Sequence, residues 1–356
     1  MGFRGVTKLK VGYWPLSSNL SSPGDRRRVI FWAEARGHEI VLDCNQKVDV
    51  IIASEKTDFN SPLFSATKAP VIFDLIDAYL SPHSLLEDTS RGLAKKLTGQ
   101  ISGKVKPFSM HVRDFCLNAK AVICSSPEQE SLIRVFNLNT HVILDSHEEF
   151  PMNEFSFRAR AETSNFRLLW EGQPATIRGV KQISSVLSEL DLTHPVNIDF
   201  VTDKQYFQFL GKYIKRETGH LLERDLKDLY SKASLTPWTR KNLSESAFQS
   251  DAAIIPIDLS IPMQRLKPEN RLLIMWRLGL PCLTSATPAY VRVATQAGVN
   301  STCELSSDWL ENFKRLLNDR YFAREEVLRG QNYIHENHNR DSILRKWDLV
   351  IESVLS

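Results

Sequence analysis

The most constraining feature of this chain is a series of very short apolar runs bounded by polar residues. They are Asp49–Ala53 (DVIIA), Val71–Asp74 (VIFD), Ala121–Cys124 (AVIC), His141–Leu144 (HVIL) and Ala252–Pro256 (AAIIP). A strand covered on one face alternates apolar and polar side chains; a run that is apolar throughout needs cover on both faces. Such runs, alternating with helical stretches, are the pattern of a parallel, doubly wound sheet. Leu9–Tyr13 and Glu39–Leu42 extend the series, with a predicted helix between them from about Asp25 to a stop at Gly37. Ser125-Ser126-Pro127-Glu128 reads as a helix start, with Pro just inside it and acid in the first turn, and the helix is predicted to run to about Phe136.

Residues 145–165 are polar and irregular, after which the pattern restarts. Phe166–Trp170 reads as a strand, Gly172–Gly179 as a loop, Val180–Leu190 as a helix and Val196–Val201 as a strand. Leu243–Phe248 falls in a helix, Asn270–Leu278 forms a helix stopped by Gly279, and Pro281–Thr284 is a strand. The expected fold is α/β, with two Rossmann-like doubly wound domains facing a cleft. Residues 1–158 form the first domain and 159–325 the second, and a helical tail, 326–356, is expected to pack back on the first. At 356 residues each half is long enough to bury its own core.

Composition removes several classes. With 42% hydrophobic and 24% charged residues the chain is not disordered. Its 45 basic and 42 acidic residues leave a net charge of +3, too balanced to suggest a nucleic-acid partner. No apolar run approaches the ~18–20 residues of a membrane span. The N-terminus has no apolar core of a secretory signal, and Val6 stands where myristoylation wants Ser or Thr. The cysteines, Cys44, Cys116, Cys124, Cys282 and Cys303, are odd in number and form no C-x-x-C pair. They read as reduced core thiols of a cytoplasmic protein. No ligand set has zinc spacing, and His335 with His338 is not a metal site by itself.

Ligands of open α/β sheets bind beyond the carboxyl ends of the strands, so the residues after each strand are the candidates. Lys267, Asn270 and Arg271 gather at a helix start, where cations oppose the helix dipole by ~0.3–1 kcal/mol each. A bound diphosphate reverses that conflict; the alternative is that Lys267 pairs with Glu269 and Arg271 faces water. Gly172 opens a strand-to-helix loop that also carries Arg178 and Lys181. This loop is neither a Walker motif nor a G-x-G-x-x-G, and an ordinary turn with surface cations is its other reading. Asp77 follows a first-domain strand and is the candidate base or acceptor contact, or else a turn carboxylate, with His83 nearby. In Ser21–Arg28, Gly24 and Asp25 precede Arg26, Arg27 and Arg28. Either a phosphate-bearing ligand faces this loop or the arginines pair with acids elsewhere. Residues 91–113 hold six cations and no acid, with Leu93, Leu97, Ile101, Val105 and Phe108 interleaved. They form a solvated basic face or a peripheral contact with an anionic membrane.

Together these segments resemble the donor-binding domain of GT-B glycosyltransferases, most nearly glycosyltransferase family four. The resemblance rests on Arg178-Gly179, on Asp251–Pro256 (D-x-A-I-I-P), on Lys267–Leu273 (K-x-x-N-[KR]-L-L) and on Gly279-Leu280-Pro281. In the first half, Ala119–Ser126 is similar to the family's A-D-A-V-I-C-x-S segment, and Arg36–Ile40 to its R-G-H-E-V. The likeness spans about residues 9–300. Many members carry an E-x7-E motif; Leu266 and Ile274 occupy those positions here, and Glu269 is the neighbouring carboxylate. Gln173 stands where many members have Arg. The resemblance implies a nucleotide-sugar donor on the second domain, held by Gly172, Arg178, Lys181, Lys267, Glu269, Asn270 and Arg271. Thr202, Asp203 and Trp238 fall where the family flanks the nucleotide; Trp238 either stacks on the base or packs as a core indole. The sugar would pass to the hydroxyl of a glycan, lipid-linked or small-molecule acceptor at the first domain, near Asp77. No metal or cofactor is implied, since the nucleotide-sugar is a substrate. The expected location is cytoplasmic, peripheral to the inner face of the membrane. Two other readings stay open: a non-catalytic GT-B protein that binds or regulates a partner, and a sugar-nucleotide epimerase of the same fold.

Overall fold

The computed structural model describes residues 8–43, 46–82, 84–155, 165–208 and 214–356. Cys44, His83 and the expected 158/159 boundary lie outside them. The chain divides into two compact units. Unit 1 is Met1–Ser146 with Leu266–Pro268 and His338–Ser356; unit 2 is His147–Arg265 with Glu269–Asn337.

Unit 1 is built on six parallel strands: β1 (Lys10–Trp14), β2 (Glu39–Val41), β3 (Val50–Ser54), β4 (Val71–Leu75), β5 (Ala121–Cys124) and β6 (Thr140–Val142). Their order is β2-β1-β3-β4-β5-β6. β3 and β5 are buried at every position, as the apolar runs Val50–Ala53 and Ala121–Cys124 require. The strand order reverses between β1 and β3, so the loops after Trp14 and Ser54 border the crevice where such sheets take ligands.

The last helix, Arg340–Leu355, belongs to this unit. Its Ile343, Leu344, Trp347 and Ile351 join the core of Val11, Trp32, Ile52 and Ile123. Trp347 stacks on Trp32 at 5.7 Å. Asp348 accepts from the Trp32 indole N–H at 2.9 Å and from Arg36 at 2.6 Å.

Unit 2 carries β7 (Phe166–Glu171), β8 (Val196–Thr202), an antiparallel hairpin of β9 (Gln205–Gln208) and β10 (Ile214–Glu217), β11 (Ala233–Pro237), β12 (Ala252–Ile255), β13 (Cys282–Ser285) and β14 (Thr302–Cys303). Its six parallel strands run β11-β8-β7-β12-β13-β14. Leaving out the hairpin and counting within the unit, this is the 3-2-1-4-5-6 order of the dinucleotide-binding fold. The reversal lies between β7 and β12, so Glu171-Gly172 and Pro256 emerge on either side of it.

Several predicted elements differ in the structure. The helix predicted over Val180–Leu190 is two, Arg178–Gln182 and Ser184–Thr193, separated at Ile183. Beyond β13, where the sequence reading names no element, the chain forms a helix over Pro288–Ala297. Thr287 caps it by accepting from the Tyr290 N–H at 3.3 Å, and Pro288 takes the first position. The tail is shared between the units. Helix Arg320–Asn337 stays in unit 2 because Gly330 lets it approach Trp276; a Cβ there would lie 2.1 Å from the indole.

The same helix buries Glu326, whose Oε1 accepts from the Cys282 N–H at 3.0 Å. Burial pushes this carboxyl up to about 7 from 4.5. Between those two values the folded chain holds a proton that the unfolded chain has released. Stability therefore falls as pH rises through that window. Glu326→Gln keeps the acceptor and removes the titration. Urea unfolding at pH 5 and pH 8 is expected to show the fall flattened by about 2–3 kcal/mol.

Candidate functional site

In unit 2 the polar groups gather where β7 ends. Gly172 is the first residue past the strand, and a Cβ there would meet Thr176 Oγ1 at 3.0 Å, Arg271 Nη1 at 3.1 Å and Trp170 at 3.1 Å. The glycine thus leaves room for the Arg271 guanidinium, which donates to the Glu171 carbonyl at 2.9 Å. Beside it, Trp238 is half-buried and donates its indole N–H to Glu171 Oε1 at 2.9 Å. The other carboxylate oxygen, Oε2, is shielded from solvent and has no hydrogen-bond partner among the described residues. The Thr202 hydroxyl, at the end of β8, is in the same condition. A buried acceptor without a donor costs about 1–3 kcal/mol, so both are places where a ligand hydroxyl gains by binding.

Arg271 stands in the first turn of helix Asn270–Arg277; the other expected cation, Lys267, lies before the helix. The dipole conflict is relieved locally. Glu269, 3% exposed at the helix start, supplies the anion that position favours and pairs with Arg292 at 3.2 Å. Asn270 Oδ1 lies 3.0 Å from His147 Nε2, a contact between residues 123 apart in sequence. Tyr290 is buried near Arg271; burial pushes its phenol up to about 12, with the guanidinium working against the rise.

Arg178 and Lys181 are exposed on the short helix after the loop. Gly179 has a structural reason: a Cβ there would sit 2.2 Å from the Pro256 carbonyl oxygen. The Arg-Gly step therefore seats this helix against the exit of β12, across the reversal from β7. Ile274, at the second Glu position of E-x7-E, is 2% exposed and packed in the core.

Unit 1 assembles a second polar group at the ends of β3 and β4. Asp77 Oδ1 takes the Lys267 ammonium at 2.9 Å, inside unit 1. Lys267 is thus engaged by this carboxylate and does not pair with Glu269. The Asp77 backbone N–H donates to Glu55 Oε2 at 2.9 Å. Gln129 fixes the turn by donating to the carbonyls of Leu75 and Asp77, each at 3.0 Å. Burial, then the nearby Asp77 charge, pushes the Glu55 carboxyl up to about 7. Sequence reasoning missed Glu55. Its signal was of the kind that found Asp77: an acid in the turn that follows a buried strand.

The arginine-rich loop resolves into separate contacts. Asp25 does not cap its own helix. It accepts from the Tyr13 hydroxyl at 2.6 Å and from the backbone N–H of Leu16 and Ser17 at 2.7 and 3.0 Å, which ties down the loop after β1. Arg28 is fully buried, forks onto Asp74 and reaches Asp145 at 3.2 Å. This arginine therefore pairs with acids of its own unit rather than with an incoming phosphate. Arg26 donates to the Ser21 carbonyl at 3.0 Å, and a Cβ on Gly24 would meet Leu16 at 2.3 Å.

No family profile matches the chain, and no curated protein matches it by sequence. Solved structures do match. Sucrose-phosphate synthase from Thermosynechococcus elongatus aligns over 96% of this chain and 80% of its own, with TM-score 0.59 and 13% identity. HepE from Anabaena, solved with UDP and glucose, aligns over 97% and 100%, with TM-score 0.62 and 11% identity. WaaG, a glycosyltransferase involved in lipopolysaccharide biosynthesis, aligns over 96% and 98%, with TM-score 0.53 and 14% identity. At these identities the likeness establishes the fold: the two six-stranded parallel sheets match the two Rossmann-like domains of these GT-B neighbours.

Proposed function

We propose that this chain is a metal-independent glycosyltransferase that moves a sugar from a nucleotide-sugar to an acceptor hydroxyl. The observation that carries the reading is the end of β7. There a guanidinium is fixed beside a glycine, and an orphaned carboxylate oxygen and a half-buried indole adjoin it, at the strand reversal of a nucleotide-type sheet. Arg271, with the exposed Arg178 and Lys181, takes the diphosphate and offsets the charge that grows on it as the sugar leaves. Glu171 accepts from a ribose hydroxyl, the work for which Ile274 has no polar atom, and Trp238 offers the base an aromatic surface. Asp77 is the acceptor-side carboxylate in unit 1, with Glu55 behind it, and Lys267 orients Asp77. The acceptor is a glycan, a lipid-linked sugar or a small molecule. We place the protein in the cytoplasm, with 91–113 as its peripheral membrane contact; among the described residues no helix is long and apolar enough to cross a membrane.

The test is a thermal-shift screen with UDP-, GDP- and ADP-sugars. A donor present at about a hundred times its dissociation constant adds ~2.7 kcal/mol of stability. One base class is expected to raise Tm; no shift with any nucleotide at millimolar concentration sinks the reading. The core packing of Ile274 favours one alternative, a nucleotide-binding protein without turnover. That alternative predicts stabilisation by a donor together with its full recovery after incubation with acceptor mixtures. Interconversion of donor sugars in the absence of acceptor would mark an epimerase.

A further inference from the structure

Helix Leu85–Leu97 in unit 1 is inside out. Leu86, Leu93 and Leu97 are spaced to fall within about 40° of one another on the helix wheel. They are 84, 45 and 67% exposed, and Leu85 at the helix start is 72% exposed. The opposite face carries the polar side chains, and it is the buried one. Asp88, 4% exposed, accepts from the Ser109 backbone N–H at 3.1 Å. Lys95 lies over the Phe108 ring at 4.2 Å and donates to Gln100 at 3.1 Å. Gly92 sits on the same side, where a Cβ would be 2.1 Å from the Lys106 carbonyl oxygen, so the helix is pinned in this rotation. A helix on a soluble domain buries its apolar stripe. This one fixes its charges inward and turns its leucines out.

The surroundings say what covers the leucines. Val105 and Met110, in the segment that follows, are 44 and 36% exposed. Lys96 and Lys104 are exposed and make no ion pair among the described residues. Lys106 and Arg113 share the single carboxylate of Asp114. Glu87 in the first turn is the exposed acid of the helix. Two copies of this face brought together would set cations against cations. An anionic lipid surface instead takes apolar side chains below the headgroups and lysines among them.

We infer that helix Leu85–Leu97 and the basic segment after it dock on an anionic membrane, with Leu86, Leu93 and Leu97 inserted at the headgroup boundary. This rests on the peripheral contact proposed for 91–113 and is independent of glycosyl transfer. The test is cosedimentation of the full chain with phosphatidylglycerol-containing vesicles and with pure phosphatidylcholine vesicles. Binding to the anionic vesicles is expected to be at least about tenfold tighter and to weaken in high salt. Leu86→Ser/Leu93→Ser/Leu97→Ser is expected to lower it about tenfold or more at unchanged Tm. Lys96→Glu/Lys104→Glu, which leaves the leucines intact, is expected to lower it on anionic vesicles specifically. Wild-type chain that stays in the supernatant with both vesicles overturns the inference and the peripheral contact together. A serine variant that binds as wild type overturns the leucine face while leaving the basic contact standing. A concentration-dependent dimer that the serine variant abolishes, without vesicle binding, gives the face to a second copy and also overturns the inference.

Discussion

Arg271→Ala is expected to weaken nucleotide-sugar binding about 100-fold, read by calorimetry with whichever donor stabilises the protein. The size follows from what the guanidinium does. It is held by the Glu171 carbonyl at 2.9 Å and lies against Gly172, so its position is set before a ligand arrives. A charge-assisted contact from a prepositioned group to a phosphate contributes about 1.5–3 kcal/mol, or roughly one to two powers of ten in affinity. Arg271→Lys keeps the charge and loses the fork, and is expected to recover only part of the loss. Glu171→Gln should fall less than Arg271→Ala, because the amide still accepts from Trp238. Arg224→Ala removes an exposed arginine that pairs with its sequence neighbour Asp225, and should leave the affinity unchanged. Equal affinity in Arg271→Ala and wild type would remove the guanidinium from the donor site. Loss in Arg224→Ala as well would show that bulk charge, not position, governs binding.

What the sequence made legible follows from the kind of signal each feature leaves. The parallel strands were visible because a strand buried on both faces carries an unbroken apolar run, as in Val50–Ala53 and Ala252–Ile255. The polar strands β9, β10 and β11 leave no such run, so residues 204–237 carry no strand signal. Gly172 and Arg271 were both singled out, but each for its own neighbours; only folding brings the glycine against the guanidinium. Glu171 was missed because it is one acid at the end of a strand, and nothing local says that half its carboxylate will be shut away from water. The loop cations were judged by sequence proximity, and there proximity misled. Lys267 stands two residues from Glu269 yet pairs with Asp77, 190 positions away. The inverted helix was invisible for a similar reason: its leucine spacing is that of a core stripe, and only Gly92 and the buried Asp88 reveal which side faces in.

The second large effect lies in the core of unit 1. Arg28→Ala is expected to lower unfolding free energy by about 3–5 kcal/mol at pH 7.5, measured by urea titration. Burial opposes the charge on this guanidinium, and Asp74 with Asp145 more than restores it, so its affinity for the proton is raised above the ordinary value. Asp74 is pushed up by its own burial and pulled back by Arg28. Removing the arginine leaves two carboxylates, 1 and 5% exposed, with no cation between them. One of them must then take up a proton to stay inside. The sign of the pH dependence follows. In the variant the Asp74 carboxyl rises further, the folded state binds a proton that the unfolded state does not, and stability falls as pH increases. The deficit against wild type should therefore shrink toward pH 5. Arg28→Met/Asp74→Leu removes the tighter pair together and should cost less than Arg28→Ala alone, because one buried carboxylate, Asp145, is left without its cation instead of two, and the volume is nearly kept. If the double variant is as unstable as the sum of the two single ones, the pair is not coupled in the folded state.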